Sequence, residues 1–128
     1  MIATSLTPLE HAVLVFTADT IGEDGSALRA QMAAARLRER KNTGSGFFTY
    51  WDIDRTEPPI GERKPRGMLD GPLASVEGIE HPMGFILWLR DGYADGLEGY
   101  CYGVDDTTGW DLENLSFALS AGSPDPSP

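Results

Sequence analysis

The stretch "KNTGSGFFTYWDIDR", residues 41–55, decides the reading of the fold. Two glycines, Gly44 and Gly46, stand between a basic run and four aromatic residues. After them Phe47, Thr49, Trp51 and Ile53 alternate with Phe48, Tyr50 and Asp52. Aromatic and β-branched residues at a period of two are strand chemistry. Glycines of this kind hold a phosphate when a helix N-terminus follows them. Here a strand follows, and no Lys-Ser/Thr pair comes after. "TGSG" therefore reads as a hairpin turn or bulge shaped by glycine, with residues 38–42 as the preceding strand.

Upstream of this point the period is helical. Thr7, Pro8 and Glu10 in "TPLE" form a helix start, with a capping residue, a proline at the first helical position and a carboxylate three residues on. Leu9, Val13 and Phe16 recur at helical spacing, and the helix should stop near Gly22. Asp24 or Ser26 caps a second helix, whose apolar stripe is Leu28, Met32 and Ala35. Arg36 and Arg38 are expected near its end, where cations favour the negative pole of the dipole.

Downstream the signals are those of strands. "RTEPPIGERKPRG" reads as a long loop. "MLDGPLASV" (68–76) reads as an edge strand interrupted by Gly71 and Pro72. "MGFILWL" (83–89) is apolar on both faces, as a central strand should be. Asp91-Gly92 is the strongest hairpin signal, and "YADGLEGYCY" (93–102) returns from it. "LSFAL" reads as the last strand. Helices followed by strands mean α+β. The expected architecture is two N-terminal helices packed on one face of a mostly antiparallel sheet of five or six strands, leaving the other face to water or a partner. Residues 1–120 read as one domain and 121–128 as a flexible Pro/Ser-rich tail.

Composition narrows the function. The chain has 128 residues and a net charge of −10. Residues 36–66 hold eight basic residues against five acidic ones; residues 67–128 hold eleven acidic residues and one basic, Arg90. Such a field repels nucleic acid and anionic membrane and attracts basic partners. The aromatics beside basic residues at 36–55 suggest RNA contact, but the overall charge argues against it. No apolar run reaches the roughly 20 residues that span a bilayer. The N-terminus lacks the basic start and cleavage site of a signal peptide. The single cysteine, Cys101, fits a reducing cytoplasm and rules out an internal disulfide. With His11 and His81 it has no metal-ligand spacing, so neither metal nor cofactor is expected. Cys101 with His81 as base would be a nucleophile, yet Cys101 falls mid-strand on an apolar face, where free cysteines are usually small core residues. No catalytic constellation assembles, and the protein is not read as an enzyme.

In the hairpin 83–102, a two-residue turn pairs Leu89 with Ala94, Leu87 with Gly96, Phe85 with Glu98 and Met83 with Tyr100. Glu98 then shares a face with Phe85 and Leu87. A carboxylate there either reaches water at the sheet margin or has a raised pKa. A one-residue register change would swap its neighbours.

The motifs "LTPLE", "RERKNTGSGFFTYWDI" and "GIEHPMGFILWLRDGYADGLEGYCYG" resemble a group of small bacterial proteins. These carry an L-T-P-L-E start, a central R-E-x-x-T-G-x-G-F-F-T and a late L-E-G-[FY]-x-Y-G. The resemblance spans roughly residues 5–120. It implies a cytoplasmic α+β domain and brings no activity with it. This chain departs where Lys41-Asn42 stand between Arg40 and Thr43, and in a longer basic loop at 55–67.

The expected function is a small, acidic, non-catalytic binding protein, of the immunity or decoy-inhibitor kind, that neutralises a basic protein partner. The expected contact residues are Tyr93, Asp95, Glu98, Tyr100, Tyr102, Asp105, Asp106, Trp110 and Asp111, aromatic anchors ringed by carboxylates. The alternative is a small-ligand protein or minor enzyme built around a partly buried Glu98. A homodimer through an exposed sheet face stays open.

Overall fold

A computed structural model describes residues 6–61 and 66–121. The Pro/Ser tail from 122 and the centre of the basic loop (62–65) lie outside them. Helix α1 spans Pro8–Thr20 and α2 spans Gly25–Ala34, joined by a 3₁₀ turn at Gly22–Asp24. Seven strands follow: β1 (Arg36–Asn42), β2 (Gly46–Asp52), β3 (Gly67–Asp70), β4 (Leu73–Val76), β5 (Gly84–Arg90), β6 (Tyr93–Tyr100) and β7 (Phe117–Ser120). Five form an antiparallel sheet in the order β1-β2-β6-β5-β3, and β4 pairs with β7 in a small second sheet. The fold is α+β. No helix among the described residues is long and apolar enough to cross a membrane.

The capping box forms as the sequence predicts: the Thr7 side chain accepts from Glu10 N–H, and Glu10 Oε1 accepts from Thr7 N–H at 2.9 Å. Glu10 does more than cap. It is fully buried, and Arg40 reaches it from β1 with two bonds, Nε to Oε2 at 2.8 Å and Nη2 to Oε1 at 2.6 Å. The Thr49 hydroxyl also donates to it. A desolvated carboxylate with this set of donors locks α1 onto β1 and β2. Gln31 does the same for α2: its Nε2 donates to the Gly92 carbonyl at 3.0 Å and its Oε1 accepts from Ala94 N–H at 2.8 Å. Leu9, Val13, Leu28 and Met32 from the helices meet Phe47, Trp51, Phe85, Leu87 and Leu97 from the sheet in one core.

Two expectations change. The second helix ends at Ala34, so Arg36 and Arg38 lie in β1 and not against a helix dipole. Gly71-Pro72 does not merely interrupt an edge strand; it separates β3 and β4 into different sheets.

The TGSG segment is a hairpin turn between β1 and β2. The chain itself fills it. Gly46 N–H donates to Thr107 Oγ1 at 3.1 Å, Thr107 N–H donates to Gly44 O at 2.9 Å, and Asn42 Nδ2 donates to Thr107 O at 2.7 Å. Gly46 has φ 138°, and a side chain there would meet the Gly99 carbonyl oxygen at 1.9 Å. Turn conformation and close strand packing together require glycine.

Candidate functional site

The helices cover one face of the five-stranded sheet; the other carries no element of the described chain. The β5–β6 hairpin fixes what that open face presents. Its turn is Asp91-Gly92, with φ 54° and 85°, the two-residue geometry that matches strand twist. Leu89 pairs with Ala94, but Trp88 pairs with Gly96, so Asp95 is an extra residue in a bulge. Every later pair moves by one: Leu87 with Leu97, Ile86 with Glu98, Phe85 with Gly99, Gly84 with Tyr100. This corrects the expected register. Glu98 does not share the core face with Phe85 and Leu87. It lies half-buried on the open face and accepts from Trp88 Nε1 at 3.1 Å. The signal was present in "LEGY": only the shifted register puts Leu97 inside and Glu98 outside.

The open face is aromatic. Phe48 stacks on Tyr50, with centroids 5.6 Å apart, and the Arg38 guanidinium sits 5.5 Å above the Tyr50 ring. Trp88 is 37% exposed, Tyr102 45% and Met68 48%. Tyr100 lies flat across Gly84, where an added side chain would fall 2.4 Å from its ring. Tyr102 meets Tyr100 edge-on at 5.5 Å. The hydrogen bond between the two, then partial burial, and then the nearby Tyr102, Asp70 and Glu98 push the Tyr100 phenol up to about 12. Asp70 and Glu98 flank Ile86 on this face, one on each neighbouring strand, and put two carboxylates among the aromatic rings.

The nine expected contact residues do not form one surface. Glu98, Tyr100 and Tyr102 stand together on or beside the open face. Asp105, Asp106, Trp110 and Asp111 belong to the long β6–β7 loop and tie it in place. Asp105 accepts from Glu80 N–H at 3.1 Å and His81 N–H at 2.8 Å. Those bonds, His81's first, hold its carboxyl below the usual range. Asp106 is likewise held low by Thr108, and Asp111 accepts from Asn114 and Glu113. Trp110 is half-buried against the core. Tyr93 is a correction: it is 2% exposed, its hydroxyl 2.9 Å from Arg55 O and 2.7 Å from Glu57 O. It anchors the segment after β2 and is no surface anchor. Asp95 stands apart, between Arg90 at 3.7 Å and Arg38 at 4.0 Å.

The same loop brings Glu80, His81 and Asp105 together, with possible ligand atoms within 4.8 Å of one another. Spacing along the chain did not reveal this grouping, because Asp105 comes from a distant turn. Both Asp105 oxygens already accept from backbone N–H groups. Burial, with Asp105 and Asp106 behind it, pushes the Cys101 thiol up, which disfavours the thiolate a nucleophile needs. Comparison with protein-family models, curated proteins and solved structures found no match.

Proposed function

We propose that the protein is a non-catalytic binding protein whose open sheet face takes a lysine- or arginine-rich segment of a protein partner. One observation carries this reading: Tyr100, Tyr102 and Trp88 lie with Glu98 and Asp70 on the face that no helix covers. A cation laid over a tyrosine or tryptophan ring is attracted by the ring face, and adjacent carboxylates strengthen the attraction. The net charge of −10 steers such a partner from a distance. The reading narrows the expected contact set to the open face, with Asp70 and Trp88 joining Glu98, Tyr100 and Tyr102. The acidic loop residues steer without docking.

The test is a titration of the ¹⁵N-labelled chain with a short Lys/Arg-rich peptide, alongside a Glu-rich control. The expected result is saturable shifts at Asp70, Glu98, Tyr100, Tyr102 and the Trp88 indole, weakened by salt. A Glu98→Lys/Asp70→Lys variant should lose them. Shifts scattered evenly over the acidic loop, or unchanged in that variant, would overturn the reading. So would movement of the same resonances with protein concentration alone, which would assign the face to a second copy of the chain.

A further inference from the structure

Two bulges converge at the end of β2. In β1 Leu37 pairs with Trp51 and Glu39 with Tyr50, which leaves Arg38 as the extra residue. In β6 the extra residue is Asp95. Bulges re-aim side chains and are over-represented beside functional sites. Here both are aimed at one spot: Arg38 Nη1 is 3.2 Å from Asp52 Oδ1, and its Nη2 is 4.0 Å from Asp95 Oδ1. Arg90 Nη2 approaches Asp95 from the other side at 3.7 Å. With Trp51 and Arg55 these residues line a pocket of about 160 Å³. The space suits a group of a few heavy atoms.

The lining is rich in donors. Three guanidinium groups face two carboxylates. Arg55 makes no ion pair among the described residues; its guanidinium stacks over the Tyr93 ring at 4.3 Å. Trp51 is 1% exposed, and its Nε1–H is buried with no acceptor among the described residues. Trp51 itself is among the residues that line the pocket, so its indole N–H resonance reports on what enters there. In a chain of net charge −10, this is a place where donors and positive charge exceed acceptors.

We infer that this pocket binds a small oxyanion, a carboxylate or phosphate group, held by Arg55 and Arg90. Arginine suits both groups because its planar fork gives two parallel, charge-assisted bonds. The pocket shares Arg38 with the open face but none of the five residues proposed to dock a peptide there, so either assignment stands if the other fails.

The experiment follows the three indole N–H resonances of the ¹⁵N-labelled full chain, assigned through Trp88→Phe and Trp110→Phe. Sodium phosphate, sodium acetate and sodium chloride are added separately at constant ionic strength. The Trp51 resonance should move saturably with phosphate or acetate, with a dissociation constant of about 1 mM or tighter, and not with chloride. Trp88 and Trp110 should stay in place. The stronger of the two anions identifies the group. Arg55 and Arg90 are exposed, so Arg55→Gln/Arg90→Gln should keep the fold and weaken binding by about tenfold or more, the scale of a hydrogen bond to a charged group. An unmoved Trp51 indole, a drift that chloride reproduces, or unchanged binding in the double variant would overturn the assignment.

Discussion

The two faces of the five-stranded sheet are built from the same strands and similar residue types, yet only one is sealed. On the inner face Phe47, Phe85, Leu87 and Leu97 are each at most 2% exposed beneath two helices. On the outer face Phe48, Tyr50, Ile86 and Tyr100 are only half-buried, and Trp88 is exposed. Hydrophobicity by itself does not tell the faces apart. What separates them is the polar company: the inner carboxylate, Glu10, is surrounded by donors from its own chain, whereas Glu98 has one indole N–H and open water. The first arrangement serves folding, and the second leaves acceptor capacity for a partner.

This contrast is sharpest in truncations of equal chemistry. Phe85→Ala empties a site where the ring packs edge-on to Phe47, and should cost about 3–5 kcal/mol of unfolding free energy in urea titrations. Trp88→Ala, on the same strand one face over, should cost about 1 kcal/mol or less. A Trp88→Ala loss as large as that of Phe85→Ala would mean that the outer face is packed in solution, and the contrast would fail.

The ion pairs of β1 repeat the comparison at smaller scale. Arg40 and Arg38 lie two apart. Arg40→Ala strands a carboxylate that is 0% exposed, and should cost about 3 kcal/mol. Arg38→Ala breaks pairs whose side chains are roughly half or more in water on the arginine and Asp52 side, and should change stability by about 1 kcal/mol at most. Similar losses from the two variants would show that the Glu10 site relaxes or admits water when its partner is removed.

These contrasts also mark what a sequence can carry. The capping box of Thr7 and Glu10, the stripe of Leu28, Met32 and Ala35, and the Asp91-Gly92 turn are local, and each is legible from residues within a few positions. The α+β order follows from them. Asp95 is different. Its bulge depends on how β6 meets β5 and β2 together, and it alone moves Glu98 from the core face to the open one. Arg40 reading Glu10 across thirty positions and Tyr93 closing on Arg55 and Glu57 are likewise long-range. Charge counting shows the acidic bias and assigns the loop aspartates a binding role from that bias alone. The structure spends Asp105, Asp106 and Asp111 on backbone N–H groups.

The smallest effect tests the outer face where it is most polar. Tyr100 is raised to about 12, chiefly by its hydrogen bond with Tyr102, while an unperturbed phenol titrates near 10. A raised folded-state value means that the unfolded chain loses this proton first as pH rises. The contribution of Tyr100 to stability is thus intact below about pH 10 and falls away as pH climbs towards 12. The group is largely solvated, so the slope should be shallow. The direct reading is the ¹³Cζ shift of each tyrosine against pH. Tyr100 should titrate well above its usual range, and Tyr102→Phe should bring it down. Glu98→Gln should lower it by less, because the carboxylate acts only through its field. If Glu98→Gln had the larger effect, the acidic pole would dominate this spot over the tyrosine pair, and carboxylate more than ring would govern what docks there.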